Sequence, residues 1–412
     1  MIQLSRLLNI GLRFGTLGTR FFFIFFLARF LDAESVGYYG IFTATVSYGM
    51  LFFGLEFYTH VTRNFGKASV DERGQILKGQ IALSSLLYIG SAPLVCLFLL
   101  NTGWPEHLVF WFMPIMILEH FNQEIFRLLV VMQRQIAASL LLFVRQGTWA
   151  LAIIAIFFLN EGGRSLDIVM LNWFVATFAA ALLGAWEVTK LDIEGWRKRV
   201  DWIWVRHGVS VALPFLIATL SQRGVITLDR YWLESLGGIG VVGSYVLFFG
   251  IISGLSVFLE AGIFSFVYPE LINHHHRNEH TLARAKVRRM FYQTAVVCAG
   301  FAIISMALLP VILDWVGDPV HLEHVGMYPW LLLAMSALAM SQVAHWALYA
   351  SGQDRQILFS HVASLTTFAV VMWFTSGQLG TYAVLAGINA AFVLLLIWKW
   401  AVYAIALKRL PR

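Results

Sequence analysis

The 412-residue sequence is 59% hydrophobic and only 13% charged, with a formal charge of +6. Soluble globular chains carry about 25% charged residues, so the composition excludes an ordinary soluble enzyme and points to an all-α polytopic membrane protein. The positive charge does not indicate nucleic acid, because the basic residues are spread over short connections between apolar runs.

A bilayer-spanning helix needs about 20 predominantly apolar residues. That length places spans near 7–30, 37–60, 77–100, 108–131, 136–159 and 167–189, then near 207–228, 239–264, 290–313, 327–350, 357–376 and 379–403. The total is about twelve transmembrane helices. The first span contains "RFGTLGTRFFFIFFLARFL" and has neither a short apolar core nor an A-x-A-like cleavage site, so it reads as a retained helix. Arg13 and Arg20 are seven residues apart, close to two turns, and share one face about 10 Å apart along the axis. Gly11, Gly15 and Gly18 beside them are expected to thin the helix for close approach. Arg29, near the outer end, can snorkel to the interface.

The second span carries Glu56. Cys96 and Cys298 lie inside apolar runs and read as packing residues, with no disulfide or metal chemistry. The fourth span contains "EHFNQEIFR", which supplies Glu119, His120, Gln123, Glu124 and Arg127. His120, Glu124 and Arg127 follow i, i+4, i+7 spacing and form one stripe, in which Glu124 and Arg127 are expected to be a structural ion pair. Arg145 falls in the fifth span, Arg223 in the seventh and Glu260 in the eighth.

The connection between the sixth and seventh spans, residues 191–206, is a basic cytoplasmic linker. It divides the chain into six-span lobes at 1–190 and 207–412. A faint echo relates the two: Gly37 and Tyr39 open the second span as Gly243 and Tyr245 open the eighth. The run His274–His276 stands in a charged connection without a carboxylate or cysteine framework, which reads as a solvated loop. No P-loop, nucleophile elbow, zinc-protease or Rossmann pattern occurs, so neither ATPase machinery nor a metal or other cofactor is expected.

Alternate connections differ sharply in charge. One set holds 21 of the 29 Lys and Arg residues and the other holds 3, while Arg13, Arg20, Arg145, Arg223 and Lys399 lie within spans. The positive-inside rule therefore places both termini in the cytoplasm. Intramembrane charges are costly and mark functional sites by default. Arg13, Arg20 and Arg223 outnumber the acids of their own helices and are candidate cavity cations for an anionic substrate. Arg145, Glu56, Glu119, His120 and Glu260 are candidate cavity or coupling residues.

The stretch "FFLARFLDAESVGYYGIFTATVSYG" resembles the opening helical pair of Wzx-type polysaccharide flippases, the polysaccharide-transporter branch of the multidrug/oligosaccharidyl-lipid/polysaccharide exporter superfamily. The shared positions are Ala28, Arg29, Leu31, Glu34, Gly37 and Tyr39. "LDRYWLESLGGIGVVGSYV" and "FSFVYPEL" resemble the start of that family's second lobe through Asp229, Arg230, Gly243, Tyr245 and Pro269. "LYASGQDRQILFSHVASL" resembles its connection from the tenth to the eleventh helix. The chain is short for the family, and "NQEIFRLL" has no counterpart in its pattern.

The resemblance implies two six-helix lobes around a central cavity that opens alternately to each side of a bacterial inner membrane. It implies a polyprenyl-pyrophosphate-linked oligosaccharide as cargo, for lipopolysaccharide or exopolysaccharide assembly. The expected partners are that lipid carrier, membrane lipids and other polysaccharide-assembly membrane proteins. A drug/cation antiporter of the same superfamily would favour a carboxylate-lined cavity, whereas here the first and seventh spans carry arginine. An O-antigen polymerase or ligase would favour a large outer loop, and the longest here, "DWVGDPVHLEHVG", is short.

Overall fold

The computed structural model describes residues 2–277 and 279–409. They are helical almost throughout and include no strand. In hydrocarbon every backbone N–H and C=O needs an internal partner, and a helix supplies it within one segment. Ten of the described helices are long and apolar enough to cross a membrane, and eleven spans result when one bent pair is taken together. Each of the twelve expected spans falls on a helix, a bent pair or a helix interrupted by a π turn. The remaining expected span falls on α5 (Glu106–Val131), a 26-residue helix whose C-terminal half carries the polar run from Glu119 to Arg127.

The chain forms two compact units. Unit 1 takes the chain up to Phe26 together with Phe42–Leu216, and unit 2 takes Leu27–Ile41 with everything from Ile217 onward. The division falls inside three helices: α1 (Ile2–Phe30), α2 (Ala33–Gly54) and α9 (Trp202–Gly237).

Unit 1 continues through α3 (Tyr58–Phe65), α4 (Val70–Asn101), α5, α6 (Gln135–Phe143), α7 (Trp149–Leu159) and α8 (Leu166–Thr189). A π turn at Val144–Thr148 joins α6 to α7. Residues 191–206, expected as a linker, are strapped to the first turns of α4. Gly74 N donates to Glu194 O (2.7 Å), Gln75 Nε2 to Arg199 O (2.8 Å) and Lys78 Nζ to Lys198 O (3.0 Å). Gly195 makes the strap possible. Its φ of +82° suits glycine, and a Cβ there would lie 2.0 Å from Asp71 O. At the other end of the unit, Trp149 and Trp173 stack at 5.4 Å, with Phe42 edge-on to Trp173.

Unit 2 contains α10 (Ile239–Leu259), a π turn at Glu260–Phe264, α11 (Ser265–His276), α12 (His280–Val316), the short α13 (Pro319–Glu323), α14 (Tyr328–Ala350), α15 (Asp354–Leu379) and α16 (Tyr382–Arg409). The α1–α2 corner, residues 27–41, is seated on it. Arg29 Nη1 donates to Val316 O (3.2 Å). Asp318 accepts from Val320 N at the start of its own helix and from Ala33 N at the start of α2, at 3.0 and 3.1 Å. His321 is buried beside it and bonds Ser244 through Nδ1 (2.9 Å), and burial pushes its ring below the ordinary histidine range.

Both units present bulky apolar side chains outward, among them Ile89 (76% exposed), Ile303 (71%) and Trp373 (82%). Exposed apolar surface on this scale is stable only against another apolar phase, which agrees with helices solvated by lipid.

Candidate functional site

Arg13 and Arg20 stand on exposed positions of α1, and each is braced by the helix that carries the π turn. Arg13 Nε donates to Ser139 Oγ (3.2 Å) and Arg20 Nη1 donates to Gln146 Oε1 (3.0 Å). Each partner lies 126 residues downstream, so the seven-residue repeat of α1 is answered by the same repeat along α6 and the π turn. Ser139 Oγ in turn donates to Asn9 Oδ1. All of these partners are neutral, so both guanidinium charges remain uncompensated by them. Of the three glycines expected to give close approach, Gly15 faces the Phe143 ring, which a Cβ added there would meet at 3.5 Å. Gly11 and Gly18 have nothing within 4 Å, so only one of them packs as expected.

The π turn separates Gln146 from its neighbour. Arg145 is 2% exposed and points into the unit, where it pairs with Glu119 and donates Nη1 to Gln123 Oε1 (2.7 Å). The second oxygen of Glu119 accepts from Trp173 Nε1 (2.7 Å). Buried ions need such saturation, because each unpaired lone pair or proton repays none of the desolvation cost. Glu119 and Arg145, read from sequence as cavity or coupling residues, therefore form an enclosed network linking α5, the π turn and α8.

A second polar cluster of unit 1 lies around the break between α2 and α3. Between α2 and α3 the chain bends by 56°. Leu55 and Glu56 both adopt left-handed backbone, with φ of 49° and 53°. Such residues cost on the order of 1–3 kcal/mol each and persist only where the surroundings impose them. The break buries Glu56 (7% exposed), whose carboxylate interacts with the Tyr58 hydroxyl. It also leaves Gly54 against His120, where a Cβ would stand 2.9 Å from Nε2.

His120 bonds the Tyr88 hydroxyl through Nδ1, and its Nε2 is 3.6 Å from Glu124 Oε1. Glu124 accepts from Arg127 on one oxygen and from Gln80 Nε2 on the other. The Arg127 guanidinium lies 3.4 Å from the centre of the Tyr58 ring. The stripe read from the i, i+4, i+7 spacing is thus assembled. Its Glu124 and Arg127 border a narrow cleft lined also by Tyr58, Thr62 and Gln80.

In unit 2, Arg223 is exposed on α9, and Glu260 is exposed at the π turn after α10. A buried Asp229–Arg230–Tyr245 group was not picked out as a charge network from sequence. Tyr245 donates its hydroxyl to Asp229 Oδ2, and Arg230 Nη1 donates to Asp229 Oδ1 (3.2 Å). The adjacent Asp-Arg pair inside an apolar run was the available signal. Among the described residues no group of three or more His, Cys, Asp or Glu is placed to hold a metal ion. His274, from the histidine run, instead meets Glu279 at 2.6 Å.

No protein-family model matches the sequence. No curated protein matches it either. Solved structures do match in fold over nearly the whole chain. One is the lipid II flippase MurJ in an inward closed conformation, with a TM-score of 0.76 and 12% identity over 98% of this chain and 88% of that one. The MATE multidrug transporter DinF-BH matches with a TM-score of 0.62 and 16% identity, covering 99% and 95%. A MOP superfamily transporter from Pyrococcus furiosus matches with a TM-score of 0.61 and 12% identity, also covering 99% and 95%. The chain has the MATE and MurJ fold. Identity this low establishes the helical architecture of a polytopic membrane protein, not the cargo. The polysaccharide branch of the superfamily rests on the sequence resemblance alone.

Proposed function

We propose that this protein translocates a polyprenyl-pyrophosphate-linked oligosaccharide across the cytoplasmic membrane by alternating access, with both termini cytoplasmic. The observation that carries the reading is the contrast in charge within unit 1. Arg13 and Arg20 are braced by neutral Ser139 and Gln146, whereas Glu119 is matched by Arg145 and Glu124 by Arg127. Two matched acids beside two exposed arginines with neutral braces favour an anion. A diphosphate suits the planar guanidinium fork. Arg223 is the corresponding candidate cation of unit 2.

The fold neighbour with a TM-score of 0.76 is itself named a flippase of a lipid-linked substrate, which supports the same class of cargo. The second reading, a drug or cation antiporter, has DinF-BH as its fold precedent. The matching of Glu119 by Arg145 and of Glu124 by Arg127 speaks against it. The Pyrococcus structure is described as having a binding pocket of reverse polarity that suggests a different function, so pocket polarity is the feature to test.

A strain lacking the protein should accumulate lipid-linked oligosaccharide at the inner face, and the wild-type gene should clear it. A charge-assisted hydrogen bond contributes about 1.5–3 kcal/mol, or roughly tenfold or more in affinity. Arg20→Ala and Arg223→Ala should therefore cut export sharply at normal abundance, with Lys rescuing only in part. Wild-type export by the double Ala variant would remove these residues from the mechanism. Surface glycan of altered length without inner-face build-up would replace the flippase by a polymerase.

A further inference from the structure

Among the described residues, the interior of unit 2 between α14, α15 and α16 holds three bases and no acid. Lys399 of α16 is 0% exposed, and no protein group accepts a hydrogen bond from its Nζ. His361 of α15 is 1% exposed, with neither ring nitrogen bonded to protein. His345 of α14 has an unbonded Nδ1, and its ring centre lies 6.0 Å from that of His361. The helix that carries Lys399 packs against both helices that carry these histidines.

The other titratable groups on these and neighbouring elements do not supply a counter-charge. Asp354 and Arg355 open α15 at exposed positions. On α14, Tyr328 packs against Phe248 and Tyr349 against Tyr268. On α16, Tyr403 packs against Trp400. From α12, Arg284 donates to Leu407 O (3.3 Å) and Lys286 pairs with Glu270 of α11. On α10 and α9, Tyr245 and Asp229 bond one another. Among the described residues no carboxylate forms an ion pair with Lys399.

A bundle that needed only packing would hold leucine or methionine here, because an apolar residue of similar volume avoids the cost of burying an amine or a charge. We propose that Lys399, His345 and His361 form a proton-binding site in unit 2, uncharged while α14–α16 are packed and protonated when water reaches them. A proton needs no cavity of its own, and an amine with two imidazoles offers acceptors for it. The neighbouring residue on α16 does reach an open surface. Trp398 lines an open cleft together with Gln353, Gln356 and His275. Proton uptake would make the packing of these helices depend on pH, whatever cargo the protein carries.

Trp398 and Trp400 flank Lys399 and provide built-in reporters. Trp400 already ties α16 to α14 by donating Nε1 to Met340 O (3.2 Å). The test uses the full-length protein in lipid nanodiscs, titrated in gluconate between about pH 5 and pH 9, where buried lysines and histidines change charge. Wild type should take up about one proton more than Lys399→Met across that window, with a matching change in tryptophan emission. Lys399→Arg, which cannot deprotonate, should hold the low-pH emission throughout. If Lys399→Met does not accumulate, a His345→Gln, His361→Asn protein takes its place and should likewise lose the transition. Equal proton uptake by wild type and the variant would overturn the proposal. So would an emission change that follows replacement of gluconate by chloride at fixed pH, which would make this an anion site.

Discussion

At Glu119 both carboxylate oxygens are occupied, by Arg145 and by the Trp173 indole, and both charged partners are nearly sealed from solvent. A pair in that position is held by mutual need. Removing one partner strands the other and typically costs about 3–5 kcal/mol, while replacing both by apolar residues is often neutral. Glu119→Gln and Arg145→Gln should each lower abundance and thermal midpoint, and the Glu119→Leu, Arg145→Leu protein should recover most of the loss. The Glu124–Arg127 pair, with side chains 16% and 23% exposed, should show the same pattern more weakly. A double variant no more stable than its parents would show that the network's hydrogen bonds, not its charges, hold α5. The sequence marked all four residues as polar within a span. It paired Glu124 with Arg127 because three residues along one helix face each other. It could not pair Glu119 with Arg145, because that contact is made between helices.

Among the elements, the corner between α1 and α2 depends on two glycines. Gly37 and Gly243 face one another. A Cβ on Gly37 would lie 2.2 Å from Ile239 O, and one on Gly243 would lie 1.9 Å from Ala33 O. The faint Gly-x-Tyr echo between the halves therefore marks two segments that touch within unit 2. Backbone cannot retreat as a flexible side chain does, so Gly243→Ala should separate α2 from α10 and release the Asp318 cap on Ala33. Gly18→Ala, with open space around it, should be neutral or slightly stabilising through helix propensity. Protease nicking at residues 31–33, compared between the two variants, checks this. Equal resistance would mean that the corner does not rely on the close approach.

For the whole molecule, the charge asymmetry of the connections predicts which ends face the cytoplasm. In a background with Cys96 and Cys298 replaced by Ala, a cysteine at Arg197 should resist an impermeant thiol reagent in intact cells. One at Glu323 should label readily, and both positions are exposed in the structure. Labelling in the opposite sense would reverse the topology, and with it the assignment of the strap at 191–206 to the inner face.

The sequence by itself determined the class of molecule, the rough position of its long apolar helices and which residues within them are polar. It did so because hydrocarbon admits only long apolar helices and penalises every charge in them. Tertiary structure alone decided the rest. A helix sets the spacing of Arg13 and Arg20, but their braces lie 126 residues away and are chosen by packing. Composition shifts mark loops, so the reading divided the chain at residues 191–206. Packing divides it inside α1, α2 and α9, since those helices bury one end among different neighbours from the other. Lys399 was legible only as a charge inside the last span. That it shares its interior with His345 and His361, and with no acid, follows from three helices brought together by the fold.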